Sequence, residues 1–163
     1  ELITAVQNMA KQHIGALILI SPGTIDQRIL DSGTMINATL TAPLIETLFH
    51  DKTPLHDGAV VIKGNKIISA GCFLPVSEQY DIKKTFGTRH RAALGLSEVT
   101  DCVILIVSEE TGAFSLAYDS KLHYDLTSEQ VTRILERQLD ITPDQQIIED
   151  TIDEHKTITG KAD

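Results

Sequence analysis

Only two cysteines, Cys72 and Cys102, occur in the 163 residues. They fall in separate apolar segments outside any ligand-like cluster. A disulfide-built scaffold is therefore excluded, and the pair reads as buried free thiols. No apolar run approaches the ~20 residues that a membrane-crossing helix needs. The chain opens at Glu1 rather than a methionine and is expected to be a processed or excised piece of a longer protein. The missing span thus describes this piece and not its parent. Basic residues are also few: 14 Lys and Arg against 23 Asp and Glu leave a formal net charge of -9. Such a surface repels polyanions at long range, so nonspecific nucleic-acid binding is not expected. One locally positive pocket, or a metal ion, can still hold a nucleotide phosphate.

Familiar motifs are missing as well. There is no Gly-rich Walker loop, no dinucleotide fingerprint, no serine nucleophile elbow and no zinc-type histidine spacing. What remains is a globular balance of 42% hydrophobic and 23% charged residues, of a length that suits one domain with an ordinary core.

Apolar positions at Leu2, Ile3, Val6 and Met9 recur at helical spacing over 2–12. Gly15 follows, and the run 16–20 reads as a central strand ended by Ser21, Pro22 and Gly23. Residues 24–37 fit a loop with a short edge segment. Thr41 is placed to cap a helix with Pro43 in its first turn and Leu44, Ile45, Leu48 and Phe49 on its buried face. Strands are expected over 59–62 and 67–74, joined by a turn at 63–66, with Pro75 ending the second. Residues 76–86 read as a surface loop and 88–98 as a helix interrupted by Gly95. Strands follow over 102–107 and 113–118, with a turn at Asp119 and Ser120. A last helix from Ser128 carries Val131, Ile134, Leu135 and Leu139 on one face, with no acidic third residue to complete a capping box. The acidic extension 142–163 is expected to form a short helix near 145–152 and then fray. The sum is an α/β fold: a single domain with a central mixed β-sheet surrounded by helices, spanning 1–141.

Three polar constellations could carry chemistry. In Leu55-His56-Asp57-Gly58-Ala59 a carboxylate stands directly before a glycine and an apolar strand. There it can hold a hard cation or accept a hydroxyl proton, although His and Asp are also ordinary turn residues. Gly87-Thr88-Arg89-His90-Arg91-Ala92-Ala93 combines a hydroxyl, helix-start amides and cationic donors suited to phosphate oxygens. A surface salt-bridge cluster would use the same residues. Arg89 and Arg91 cannot share one helical face, so they are expected to play different parts. Ser108-Glu109-Glu110-Thr111-Gly112 sets paired acids at a strand-to-turn junction, either as a solvated turn or as cation ligands. Leu17 and Phe73 fit both a base pocket and the core.

These three motifs in this order, with Gly15-Ala16-Leu17-Ile18 near the start, resemble the diadenylate cyclase domain family over about residues 2–139. The membrane-linked bacterial cyclases are the most similar branch. The resemblance implies condensation of two ATP molecules into cyclic di-AMP and two pyrophosphates by reciprocal 3′-hydroxyl attack. It implies Asp57, Arg89 and His90 as catalytic residues. Leu17, Gly58, Ala59, Phe73, Gly87, Thr88, Arg89, His90, Arg91 and Ser108 would bind nucleotide or phosphate. Asp57, Glu110 and His56 would bind a divalent metal ion (Mg2+, Mn2+ or Co2+). Phe73 stands where related cyclases often carry tyrosine, which keeps stacking but loses a phenolic hydrogen bond. A catalytic homodimer with facing sites is implied, as is a cytoplasmic catalytic domain whose parent protein sits at the cell membrane.

Overall fold

A computed structural model describes residues 1–74, 87–139 and 156–159. The loop expected over 76–86 and the helix expected over 145–152 lie outside the described residues.

One eight-stranded sheet organises the chain, in the order β2-β4-β3-β1-β5-β6-β7-β8. Its central strand β1 (Ala16–Ser21) is buried along its whole length, which is why it reads as a continuous apolar run rather than an alternating one. β1 pairs parallel with β3 (Ala59–Lys63) and antiparallel with β5 (Val103–Val107). The remaining pairs are antiparallel, so the sheet is mixed as expected.

Alternate side chains of the strands feed two apolar layers. On one face Ile18, Ile20, Val60, Ile62, Val103 and Leu105 pack with α1 (Leu2–Lys11), α3 (Ala42–Phe49) and α5 (Ser128–Gln138). On the other, Leu17, Leu19, Val61, Ile104 and Ile106 pack with α4 (Thr88–Ser97), and with Ile29 and Leu30 of α2 (Gln27–Asp31). Cys72 and Cys102 are both buried free thiols, as expected.

Local signals explain most boundaries. Thr41 caps α3, its hydroxyl accepting from the Leu44 amide at 3.3 Å, with proline in the first turn. The stretch 24–37 contains the expected edge segment and, in place of a plain loop before it, a short helix. Asp26 caps the short α2, and β2 (Thr34–Thr39) forms the sheet edge against β4 (Lys66–Cys72). The cap of α5 is Thr127, one residue before the expected Ser128. A full capping box forms there, because glutamine at Gln130 can return the hydrogen bond as glutamate does. Two strands are new. β7 (Lys121–Leu126) pairs with β6 (Phe114–Tyr118), and β8 (Lys156–Thr159), in the stretch expected to fray, pairs with β7.

Topology gathers the chemistry at one end of the sheet. β4 ends, β3 and β1 begin, β5 ends and β6 begins along the same rim, as the pairs Ala59↔Cys72, Ala16↔Val107 and Val107↔Phe114 show. Asp57, Phe73, Gly15 and Ser108 each lie just beyond one of those strand ends.

Candidate active site

The N-terminus of α4 meets the turn after β5. Gly87 is the N-cap and offers no side-chain hydrogen bond, so the first-turn amides of Thr88, Arg89 and His90 lack a cap from it. Gly87, Thr88, Arg89 and His90 line a small cleft of about 70 Å³ together with Val107, Ser108, Glu109 and Glu110. Two of the three motifs are thereby brought into one cavity. A helix start, a hydroxyl residue and an arginine in one cleft are a combination suited to an anion.

Arg89 makes two contacts. Its Nη1 lies 3.6 Å from Oε1 of Glu109, and its side chain is 24% exposed. Its guanidinium also packs against Gly15, at the start of β1. Neither Glu109 nor Gly15 stood out in the sequence as a partner of this arginine. Adjacent glutamates carry no mark of which one meets the cation, and a contact between a glycine and a distant arginine leaves no local pattern. Arg91 lies about 200° further round the helix and does not line the cleft.

The turn behind the cleft is fixed by its own hydrogen bonds. The Gly112 amide donates to the Ser108 carbonyl at 2.8 Å, and the Thr111 amide donates to the Ser108 hydroxyl at 3.3 Å. His13, another residue the sequence did not single out, donates from Nδ1 to the Glu110 carbonyl at 3.2 Å, tying this turn to the end of α1.

His90, expected as a catalytic and phosphate-binding residue, lines the cleft from a buried position. Its Nε2 lies 3.5 Å from the Ser115 hydroxyl. Burial first, and the Arg89 charge second, push its imidazole down to about 4, so it is neutral at pH 7. Because the folded value lies below the ordinary one, stability is expected to fall as pH drops from about 6.5 toward 4, by up to about 3 kcal/mol. Denaturant unfolding at pH 7.5 and pH 5, with the His90 ring followed by NMR, checks this. A His90 ring that titrates between pH 6 and 7 would contradict it.

Asp57 sits on the same rim, exposed and with no ion pair or hydrogen bond among the described residues. Gly58 fixes it there. Its φ of 112° is closed to side chains, and a Cβ would come within 2.8 Å of the Cys72 carbonyl oxygen, so only glycine brings β3 this close to β4. Ala59, the first residue of β3, is buried. His56 donates from Nδ1 to the Thr53 carbonyl at 2.7 Å, which leaves Nε2 as the lone-pair nitrogen. Between β3 and β5 stands only β1, so Asp57 and the Ser108 turn belong to strands about 10 Å apart, twice the usual spacing. Among the described residues no three His, Cys, Asp or Glu side chains converge, so His56, Asp57 and Glu110 do not form a three-ligand cage within one chain.

The two expected base-contacting residues differ in exposure. Leu17 is 4% exposed and packs in the core. Phe73 is 69% exposed and lines a groove of about 480 Å³ between α2 and α4, with Arg28, Ile29, Leu96 and Val99.

Known proteins are similar to this chain in sequence and in fold. Residues 3–122 match the DAC family, described as DisA bacterial checkpoint controller nucleotide-binding. The chain is 48% identical over 132 residues to cyclic di-AMP synthase CdaA of Bacillus subtilis, covering 81% of this chain and 48% of that protein. It is 46% identical over 135 residues to a diadenylate cyclase of Listeria monocytogenes, covering 83% and 50%. The chain thus spans about half the length of these curated relatives. The crystal structure of a DacA double mutant from Staphylococcus aureus superposes with a TM-score of 0.82 at 42% identity, over 85% of this chain and 92% of that one. A second structure, a hypothetical membrane spanning protein from Bacillus cereus, matches with a TM-score of 0.73 at 44% identity, over 77% and 62%. By sequence and by fold, the chain belongs to the DAC family of diadenylate cyclase domains.

Proposed function

We propose that the chain is the catalytic domain of a diadenylate cyclase that condenses two ATP molecules into cyclic di-AMP and two pyrophosphates. The observation that carries this reading is the cleft shared by the α4 N-terminus and the turn that starts at Ser108, on a sheet rim that also bears Asp57. Each 3′-hydroxyl attacks the α-phosphorus of the other nucleotide. One O–P bond forms, the bond to the β-phosphate bridge breaks, and pyrophosphate leaves. The first-turn amides, Thr88 and Arg89 hold the triphosphate and offset charge as it moves onto the leaving group. The Asp57 carboxylate draws the proton from the attacking hydroxyl. Phe73 offers an exposed ring for adenine to stack on.

The residues fit a hard divalent cation of the kind that binds one or two carboxylates and completes its shell with phosphate oxygens and water. Because His56, Asp57 and Glu110 do not converge within one chain among the described residues, a single carboxylate, Asp57 or Glu110, would hold it there, with phosphate oxygens and water completing the shell. When bound, Mg2+, Mn2+ or Co2+ supplies positive charge to the triphosphate and the leaving pyrophosphate.

A symmetric product from two substrates asks for two facing sites, so the active species is a homodimer, each domain presenting one ATP. On the same proposal, the parent protein sits at the membrane with this domain on the cytoplasmic side. Supporting this is the likeness to a protein described as membrane spanning, while no helix among the described residues is long and apolar enough to cross a bilayer.

Purified protein incubated with ATP and each metal should yield cyclic di-AMP and pyrophosphate by mass and chromatography. The rate per molecule should fall on dilution. ADP and phosphate as products would replace this reading with an ATPase, and binding without turnover would replace it with a nucleotide receptor.

A further inference from the structure

We infer that Gly15 is a positioning residue for Arg89, a glycine kept free of any side chain so that the guanidinium can lie beside the start of β1. The inference rests on the proposed phosphate-holding role of Arg89. Gly15 is buried, and its backbone is not among those with positive φ, so conformation alone does not demand glycine here. Space does. A Cβ at this position would come 2.6 Å from Nη1 of Arg89 and 2.7 Å from Cζ, inside any permitted contact. Residue 15 leads directly into β1, which is paired on both sides and cannot shift. The flexible arginine would have to yield instead. The same Nη1 also lies 3.6 Å from Glu109 Oε1, so the guanidinium is packed at the site of a missing side chain and paired with a carboxylate. These two contacts restrict the planar fork, whose direction decides whether it can meet phosphate oxygens in pairs.

The test is a double-mutant cycle on ATP affinity, measured by calorimetry with Gly15→Ala, Arg89→Ala and the double variant. Gly15→Ala is expected to raise the ATP dissociation constant about tenfold while leaving that for adenosine unchanged. In the Arg89→Ala background it should change neither, because the methyl group then fills vacated space. Its melting midpoint should stay within about 2 °C of wild type, the displaced group being the end of a flexible chain. Wild-type ATP affinity in Gly15→Ala, an equal loss in both backgrounds, a parallel loss for adenosine, or an unfolded variant would each overturn the inference. Because binding is the readout, a wild type that makes no cyclic di-AMP sinks the cyclase reading without deciding this one.

Discussion

Asp57→Asn is expected to lower cyclic di-AMP formation by about 10²–10⁴-fold, the range that a positioned proton acceptor contributes. Asparagine keeps the shape of the side chain but removes its negative charge. It can neither draw the proton from a 3′-hydroxyl nor act as an anionic cation ligand. The loss should be catalytic and not structural, since Asp57 is exposed and makes no hydrogen bond or ion pair among the described residues. Gly58, whose φ of 112° fixes the chain path, is untouched. Circular dichroism melts should therefore overlay on wild type while chromatography of the products shows the fall. Steady-state synthesis at the wild-type level by a folded, metal-supplied variant would remove Asp57 from the chemistry.

Arg89→Ala is expected to cost about 10²–10³-fold in kcat/KM, comparable to removing one preorganised donor from a site of developing negative charge. Two effects add. The cleft loses its guanidinium, and the carboxylate of Glu109, now without its partner at 3.6 Å, is left facing an incoming polyphosphate. Arg89→Lys should recover part of the loss, as a point charge without the planar fork. Stability should change by less than about 1 kcal/mol, because the Glu109 side chain is largely exposed and such pairs contribute little. Steady-state kinetics on the three proteins checks the order wild type, lysine, alanine. Equal rates for alanine and wild type would place the phosphates elsewhere.

How much of this was legible in the sequence depended on where each signal resides. Strands buried on both faces, β1 and β5, announce themselves as apolar runs. The α3 start is written locally in Thr41 and Pro43. β7 was hidden because its Lys-Leu-His-Tyr-Asp-Leu alternates imperfectly. A register shift against β6, and a positive φ at Asp125, break the simple period. β8 is a short edge strand that exists through pairing with β7, which no local pattern records. The same division runs through the site. The α4 N-terminus and the Ser108 turn could each be read as motifs, yet their shared cleft follows from strand order. Burial neutralises His90, and burial is a property of the packed sheet rather than of the motif around it. Glu109 and Gly15 matter only through Arg89, a residue far from both along the chain.

The most direct probe of two nucleotides set for mutual attack is ATP whose 3′-hydroxyl has been removed. Supplied alone, 3′-deoxy-ATP should release no pyrophosphate, since neither sugar can attack. Mixed equally with ATP, it should give a linear dinucleotide that keeps its 5′-triphosphate and ends in 3′-deoxyadenosine, with one pyrophosphate released per bond formed. Undiminished pyrophosphate release from 3′-deoxy-ATP alone would contradict reciprocal attack.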